Sequence, residues 1–505
     1  MLSFTEWSRD RICADPGADA TPPLTLNFIR HWAEQTPQAQ AVVVDGRPIQ
    51  YVDLYRHLCG CVQAMAAFNL RPGQVVWLSV SDFYINLVVL IALETLGLTS
   101  AMASRRTQLN TDPLLRHADF ALLDEAVEDV SGVPSHRMTA TWLHSVFNQP
   151  HQGIEGLVHS PQWTDGVRLT SSSGTSQEPK PILLNHAVQA SWHQYYLDYS
   201  GYTSNSRLLV VGSWAVNVFY SRATVCLRLG ATVMSLKEVI QLPQLKFNTA
   251  CMMPLDLEIL LKLLPDNFIK PERLVIHTGG AALTAPLRAR ALQRLCTAIH
   301  NNYGCVETGV LIEMQEEKIG ALAAGVKVDI VDQAHQPLPA GQLGVLRAKS
   351  KTMIEAYWHR PEATAQSFRD GWFYPGDEAM RLPDGRLQLM GRRDDLLNLG
   401  GIKTSPLPFE QALKELDWIQ DAAFVAFRDV HAGERFGLAL VLATNTPPES
   451  WKAMVLGVLQ RLSSWIAMND VKPLCVTLPS LPYTSTQKLR RQEIRDLFKN
   501  LKPAA

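Results

Sequence analysis

The sequence has no long run of charges of one sign, and its acidic and basic residues nearly cancel. Asp, Glu, Lys and Arg make up 19% of the 505 residues, and the formal net charge is −1. Binding to nucleic acid or to an anionic membrane surface requires a basic patch or stripe. Neither kind of partner is therefore predicted.

Cysteine is scarce and shows no paired spacing. The eight cysteines include Cys59 and Cys61, but they form no Cys-x-x-Cys pair and no Cys/His cluster. This spacing argues against a zinc site and against a disulfide framework. Free, mostly buried thiols in a reducing compartment are expected.

Long hydrophobic runs are also absent. The most apolar stretch, residues 85–94, contains Asn86 and Glu94 and is much shorter than the roughly 20 residues that a membrane-spanning helix needs. It predicts a buried helix. The first ten residues lack the apolar core of a signal peptide, so we expect a cytoplasmic protein without a membrane span.

The chain is long enough for two or more domains. Strand-like and helical stretches alternate over residues 24–150 and again over residues 207–300. This alternation predicts a largely parallel sheet covered by helices, in which ligands bind at the carboxyl ends of strands. From about residue 320, glycine turns separate short strands, and residues 383–385 predict a hairpin turn.

One stretch rich in hydroxyl side chains is suited to holding an oxyanion. Residues 170–180 read Thr-Ser-Ser-Ser-Gly-Thr-Ser-Gln-Glu-Pro-Lys and follow strand-like residues 167–169. Hydroxyls and backbone N–H groups beside a glycine can converge on a phosphate, and Lys180 adds positive charge. A Walker loop would end in Gly-Lys-Ser/Thr and open a helix, whereas Pro181 follows here. A serine-rich surface linker is the alternative.

The spacing of this loop resembles the motif Thr-Ser-Gly-Ser/Thr-Thr-Gly-x-Pro-Lys of the adenylate-forming enzymes. This superfamily comprises acyl-CoA synthetases, peptide-synthetase adenylation domains and luciferases. Five further family motifs have counterparts in family order, at residues 279–281, 301–307, 372–377, 391–395 and 481–488. Each match is weak or moderate alone, but the set in order identifies the chain as a member. Four motif positions depart from the family pattern, namely Gln177, Val306, Pro375 and Gln487.

The resemblance implies an α/β fold with two domains. The large N-terminal domain, residues 1–392, would contain parallel-rich sheets covered by helices and a small β-barrel-like part, and would bind ATP and the acid. A small, mobile α+β C-terminal domain, residues 393–505, would carry the catalytic lysine.

The resemblance also implies the reaction of an AMP-forming acid–thiol ligase. A carboxylate would attack the α-phosphorus of ATP in the presence of Mg²⁺, giving an acyl-adenylate and pyrophosphate. The thiol of CoA or of a carrier-protein phosphopantetheine would then displace AMP. No carrier domain is visible after Lys488, so any carrier protein is expected in trans.

The family motifs assign roles to individual residues of this chain. The implied catalytic residues are Lys488, Glu307 and Lys180, and Glu307 is also the implied metal ligand. Asp394 is the implied hinge, and Gly400 and Gly401 would border the thiol channel. The implied ATP-binding residues are Thr170, Ser171, Ser172, Ser173, Gly174, Thr175, Ser176, Gly279, Gly280, Ala281, Asn302, Tyr303, Gly304, Asp377 and Arg392.

The acid pocket is expected between residues 214–218 and 277–279. Its predicted side chains are Trp214, Asn217, Val218, His277, Thr278 and Cys305. Peptide-synthetase domains commonly place an aspartate in this segment to pair the α-ammonium, and residues 212–220 contain none. A buried ammonium without a carboxylate is costly. We therefore expect an aryl acid or a short- to medium-chain aliphatic acid.

Two alternatives remain open at this stage. One is a stand-alone amino-acid adenylation enzyme of a peptide-synthetase pathway. The other is a non-catalytic relative, which would bind nucleotide without turnover.

Overall fold

The computed structural model describes residues 21–102, 110, 112–148, 153–172, 179–236, 246–399, 402–429, 433–443, 449–469, 471–483 and 488–501. The structural statements that follow refer to these residues.

The first part of the chain alternates strands and helices up to residue 235. Its strands are β1 Gln40–Val44, β2 Arg47–Gln50, β3 Val75–Ser79, β4 Thr99–Met102, β5 Phe120–Asp124, β6 Ser135–Met138, β7 Gly166–Ser171, β8 Pro181–Asn185, β9 Arg207–Val211 and β10 Thr232–Ser235. Its helices are α1 Thr25–Gln35, α2 Tyr51–Ala66, α3 Phe83–Thr95, α4 Ala140–Asn148, α5 His186–Tyr199 and α6 Asn217–Arg228.

The middle part begins with parallel strands and continues with short antiparallel ones. It contains β11 Thr249–Met252, β12 Val275–Gly279, β13 Ala298–Cys305, β14 Gly309–Met314, β15 Ile319–Leu322, β16 Lys327–Val331, β17 Leu343–Lys349, β18 Phe368–Arg369, β19 Trp372–Phe373, β20 Asp377–Arg381 and β21 Leu387–Arg392. Its helices are α7 Pro254–Leu263, α8 Ala285–Arg294 and α9 Pro361–Ser367.

These strands form two sheets. One has the order β6-β5-β3-β4-β7-β8 and is parallel except for the β7–β8 pair. The other runs β2-β1-β10-β9-β11-β12-β13, where only β2 is antiparallel, and then continues through antiparallel β14, β15, β21, β20 and β17. The predicted α/β class is confirmed, and the small antiparallel part is continuous with the large sheet.

Helices α3 and α6 lie deep in the main core. All residues of α6 except Val218 are buried, and Asn86 and Glu94 of α3 are buried with their apolar neighbours. The Asp82 carboxylate caps α3 by accepting from the backbone N–H groups of Tyr84 and Ile85, at 2.9 and 2.8 Å. The interpretation of residues 85–94 as a buried helix is confirmed.

A buried ion pair joins three of these helices. Arg228 of α6 lies 3.2 Å from the Glu94 carboxylate of α3, and both side chains are 4% exposed. The same guanidinium donates to Thr25 Oγ1 of α1 at 3.0 Å. Because both side chains are shielded from water, each charge is compensated by the other and not by solvent.

The C-terminal part forms its own core. Its strands are β22 Leu397–Leu399, β23 Ile402–Thr404, β24 Ile419–Asp429, β25 Gly433–Leu442 and β26 Leu474–Thr477, and its helices are α10 Leu407–Lys414, α11 Trp451–Leu462, α12 Ser464–Met468 and α13 Arg491–Asn500. Leu397 and Leu399 pack in one cluster with Phe409 and Phe424. The predicted boundary at residues 392–393 stays a prediction, although β22 already packs with this cluster.

Ser463 separates α11 from α12, because it adopts extended backbone, with φ −144° and ψ 111°.

None of the helices in the described ranges is both long enough and apolar enough to span a membrane.

We predict that Glu94→Gln destabilises the protein by about 3 kcal/mol or more, because it leaves the buried Arg228 charge without its carboxylate. The measurement is the free energy of unfolding from urea denaturation. Glu34→Gln is the matched control, since Glu34 pairs with Arg30 at an exposed site, and it should cost about 0.5 kcal/mol or less. Equal losses in the two variants would contradict the prediction.

Candidate active site

A cavity of about 860 Å³ lies where the ends of β7, β12 and β13 meet the start of α6. Many of the predicted site residues line it. They are Thr170, Ser171, Ser172, Asn217, Val218, His277, Thr278, Gly279, Gly280, Asn302, Gly304, Cys305 and Lys488. Strand ends that are far apart in the sequence therefore converge on one site, as expected for an α/β sheet.

The hydroxyl-rich segment connects two antiparallel strands. β7 ends at Ser171 and β8 begins at Pro181, and Ser172 and Lys180 close the hairpin. The Ser172 N–H donates to the Lys180 carbonyl at 2.9 Å, and the Lys180 N–H donates to Ser172 Oγ at 3.1 Å. A strand rather than a helix follows the lysine, so the connection differs from a Walker loop. Ser173, Gly174, Thr175 and Ser176 lie outside the described residues.

Lys180 and Glu307 lie on either side of a tyrosine. Lys180 Nζ is 3.3 Å from Ser367 Oγ and 4.7 Å from the centre of the Tyr357 ring. The Tyr357 hydroxyl donates to Glu307 Oε1 at 3.0 Å. Burial lowers the pKa of Lys180, and Arg392 lowers it further, while Glu307 opposes both effects.

The predicted motif at residues 301–307 lies largely within a strand, because β13 continues to Cys305 by pairing with β14. A Cβ on Gly304 would lie 2.1 Å from the Gly309 carbonyl oxygen. Glycine at position 304 is therefore required by the neighbouring strand, and this close contact fixes the turn that carries Glu307.

Two predicted ATP-binding residues face each other across a hairpin. Asp377 of β20 and Arg392 of β21 are cross-strand partners, and their charged groups are 3.9 Å apart. The Tyr303 hydroxyl donates to Asp377 Oδ2 at 2.7 Å. Burial raises the pKa of Asp377, whereas Arg392, Tyr303 and Lys488 act to lower it.

Lys488 reaches the cavity from the C-terminal part of the chain. It lines the cavity, and its charge acts on the pKa of both Asp377 and Cys305. Burial, followed by the Glu307 carboxylate, raises the pKa of the Cys305 thiol well above its usual range. Cys305 therefore lines the site as a neutral thiol.

The acid-pocket side chains are buried and largely unpartnered. Asn217 is 0% exposed, and both its amide oxygen and nitrogen have no hydrogen-bond partner among the described residues. The same holds for His277 Nε2 and Thr278 Oγ1. Burial holds the pKa of His277 well below its usual range, with Arg222 as the next cause, so the imidazole is neutral.

Several predicted site residues do not line the cavity, namely Lys180, Trp214, Ala281, Tyr303, Glu307, Asp377 and Arg392. Trp214 packs on Phe83, with ring centres 4.5 Å apart, and its Nε1–H donates to the Phe83 carbonyl at 2.9 Å. It therefore anchors the start of α3 and does not line the acid pocket. Ala281 is exposed, because the chain turns at Gly280, where φ is +80°.

One residue of the cavity wall was not singled out from the sequence. Arg222 of α6 lines the cavity and is 2% exposed. No family motif covers it. The sequence feature that could have identified it is an arginine in the middle of the helical segment that follows the predicted acid-pocket residues.

Asp394 lies at the surface, in the turn between β21 and β22. Arg495 of α13 donates to its carbonyl and pairs with Asp395 at 2.7 Å. Further contacts join the two parts of the chain: Lys403 pairs with the buried Glu378, and Gln411 Nε2 donates to Glu317 Oε1 at 3.1 Å. Gly400 and Gly401 lie outside the described residues, so their predicted role stays a prediction.

Comparison with known proteins identifies the family. The model of the AMP-binding enzyme family matches residues 29–358, which is more than half of the chain.

The chain belongs to the AMP-binding enzyme family.

Individual relatives agree with this membership. The chain is 25% identical to feruloyl-CoA synthase from an Amycolatopsis species, over 92% of this chain and 97% of the relative. Among solved structures it resembles the O-succinylbenzoate coenzyme A synthetase MenE of Bacillus subtilis, in complex with ATP and magnesium, with a TM-score of 0.79 at 19% identity, covering 93% and 99% of the two chains. It also resembles ATP-bound MatB of Rhodopseudomonas palustris, with a TM-score of 0.78 at 18% identity, covering 94% and 99%.

The predicted membership of the adenylate-forming superfamily is thus confirmed, and with it the reaction class. This AMP-binding enzyme is an AMP-forming ligase. It activates a small carboxylic acid with ATP through an acyl-adenylate and passes the acyl group to a thiol of CoA or a carrier protein.

If Mg²⁺ binds together with the nucleotide, the described residues would leave most of its coordination to phosphate oxygens. Within the described ranges no group of three or more His, Cys, Asp or Glu side chains could hold a metal ion by itself. Glu307 offers carboxylate oxygens, the ligand type that Mg²⁺ prefers together with phosphates and water. Mg²⁺ bound there would neutralise the charge that develops on the phosphates.

We predict that the affinity of this AMP-binding enzyme for ATP falls with rising pH earlier than the usual lysine pKa would suggest. The lowered pKa of Lys180 means that its ammonium loses a proton sooner, and a neutral amine no longer attracts a polyphosphate. The dissociation constant for ATP should be measured between pH 7 and 10. Lys180→Arg is the control, since its guanidinium stays protonated; superimposable profiles for the two proteins would refute the prediction.

Proposed function

We propose that this AMP-binding enzyme acts on a carboxylic acid without an α-amino group and transfers it to the pantetheine thiol of CoA, or of a carrier protein in trans. The charge of the cavity wall carries this proposal. Among the described lining residues the cations are Arg116, Arg222, Lys488 and Arg490, and the acidic residue is Asp112.

Asp112 is poorly suited to pair a substrate ammonium. Its Oδ1 accepts from the Leu114 N–H at 2.9 Å and from Trp77 Nε1 at 3.4 Å. The residues around Asn217 and His277 contribute neutral groups, and Arg222 repels a second cation. An α-ammonium placed there would be buried without a compensating carboxylate, which is costly.

The identity of the acid is narrowed by the pocket and by the relatives. The pocket combines apolar lining such as Val216 and Val218 with the buried amide of Asn217. This mixture of apolar lining and one buried amide favours an aryl acid or a short- to medium-chain aliphatic acid as the substrate. Feruloyl-CoA synthase is named for an aryl acid, which supports the first of these classes.

In this proposal Lys488 brings two anions together. Its ammonium bridges the acid carboxylate and the α-phosphate, so that the carboxylate can approach the phosphorus despite the repulsion between them. The residues at the end of β7, together with Lys180, hold the outer phosphates. Asp377 and Arg392 hold the ribose, Tyr303 packs against the adenine, and Glu307 binds the metal.

The thiol step is assigned to the small C-terminal unit. Asp394 is proposed as the pivot about which this unit moves, and Gly400 and Gly401 as the border of the channel for the pantetheine arm. Because ATP and reduced CoA are cytoplasmic metabolites, we propose a cytoplasmic location.

We predict carboxylate-dependent ATP–pyrophosphate exchange with a pool of aryl or aliphatic acids and none with a pool of amino acids. Lys488→Ala should lower this exchange by about 10²–10³-fold, since it removes a charge that acts mainly in the transition state. Its affinity for ATP should change far less. Pooled acids and incorporation of labelled pyrophosphate into ATP provide the measurement.

Exchange with the amino-acid pool alone would favour the stand-alone amino-acid adenylation enzyme. No exchange with any pool, despite measurable ATP binding, would favour a non-catalytic relative.

A further inference from the structure

Arg222 is a buried cation in the wall of the acid pocket. It lies on α6, five residues after Asn217, and is 2% exposed. It forms no ion pair with a carboxylate of the described residues. Taking a guanidinium out of water without a counter-ion is costly, so its position needs a physical reason.

The protein groups around Arg222 satisfy part of the guanidinium. Nη1 donates to Ser200 Oγ at 2.9 Å and to the Tyr202 hydroxyl at 2.6 Å. The guanidinium carbon lies 4.2 Å from the centre of the Tyr196 ring. Nε and Nη2 donate to no described acceptor, and Nε is buried. The neighbours thus orient the cation but leave its charge uncompensated.

Two other buried arginines are compensated by carboxylates. Arg228, on the same helix, pairs with Glu94 at 3.2 Å, and Arg491 pairs with the buried Glu410 through two hydrogen bonds. Arg168 is also 2% exposed and pairs with no carboxylate of the described residues, but it donates to the Trp214 carbonyl at 2.6 Å and lies over the Tyr220 ring. Arg168, Arg228 and Arg491 do not line the cavity. Arg222 therefore combines the lack of a carboxylate partner with a position in the cavity wall.

The groups near Arg222 are also suited to accepting or donating hydrogen bonds to a polar ligand. Its charge acts on the pKa of His277, and His277 Nε2 and Thr278 Oγ1 are buried without a partner in the described part of the chain. Within the same part, the amide oxygen and nitrogen of Asn217 also have no hydrogen-bond partner. A hydrocarbon tail at this place would leave all these groups unsatisfied.

We propose that the acid activated by this enzyme is a dicarboxylic acid, and that its second carboxylate pairs with Arg222. The inference rests on the proposed function, acid activation in this cavity. One carboxylate of the substrate meets the nucleotide beside Lys488, and the other supplies the counter-ion that Arg222 lacks. Arg222 is thereby a specificity-determining residue, and a monocarboxylic acid of the same size leaves its charge buried and unpaired.

The test compares acids that differ only at the distal end. ATP–pyrophosphate exchange is measured with dicarboxylic acids and with analogues in which a methyl group replaces the second carboxylate. The panel contains straight-chain acids of four to eight carbons and benzoic acids carrying ortho, meta or para substituents. The series covers a range of separations between the two carboxylates. At least one dicarboxylic acid should exceed its methyl analogue by about 100-fold in kcat/KM.

Two substitutions separate a specificity role from a structural one. Arg222→Met removes the charge at similar volume, and Arg222→Lys retains it. Arg222→Met should abolish the roughly 100-fold preference by lowering kcat/KM for the dicarboxylic acid, and Arg222→Lys should keep part of the preference. The affinity for ATP, measured by titration, should be the same in all three proteins, which reports that the fold is retained.

Each remaining outcome counts against the proposal. Exchange that favours the methyl analogues would overturn the dicarboxylic assignment and leave the proposed function standing. A preference unaffected by Arg222→Met would assign Arg222 a packing role only. A lower ATP affinity of Arg222→Met, together with an equal loss of exchange for dicarboxylic acids and their methyl analogues, would likewise assign Arg222 a packing role only. No exchange with any acid, although ATP binds, would overturn the proposed function as well.

Discussion

The active site depends on one close backbone contact, between Gly304 on β13 and the carbonyl of Gly309 at the start of β14. A side chain at position 304 would meet that oxygen at 2.1 Å, a distance at which the strands could not pair. Because they do pair, the turn between them is short and its residues have little freedom. Tyr303 is held toward Asp377 and Glu307 toward Tyr357, so the same contact positions the proposed ribose and metal ligands.

A second constraint is the positive charge that different parts of the chain bring to the site. Lys180 immediately precedes β8, Arg392 ends β21, and Lys488 precedes α13. Burial is the main cause that lowers the pKa of Lys180, while Glu307 raises it and Arg392 lowers it. The carboxylates of Glu307 and Asp377 are fewer than these three cations. A polyphosphate supplies the missing negative charge, so its binding should stabilise the folded site as well as start the reaction.

The sequence predicted those features of the site that depend on local patterns. Glycines and charged residues at fixed spacing located the hydroxyl-rich segment that ends at Lys180 and the strand ends that meet at the cavity. The predictions failed where tertiary packing decides the outcome. Trp214 is a large apolar residue of the type expected in a pocket, but its indole packs on Phe83, which is far away in the sequence. The length of β13 depends on pairing with β14. The importance of Arg222 depends on its place in the cavity wall and on its lack of a carboxylate partner among the described residues.

Strand β20 links nucleotide binding to the position of the small C-terminal unit. Successive side chains of a strand point to opposite faces, so Asp377 faces Tyr303 and Arg392 while Glu378 faces Lys403 of the small unit. Glu378 is 3% exposed, and its other cation, Arg393, is 3.9 Å away. Any movement that separates Lys403 from Glu378 leaves a buried carboxylate poorly compensated, which is costly. The arrangement that brings Lys488 to the cavity is therefore stabilised by the residue next to the proposed ribose ligand.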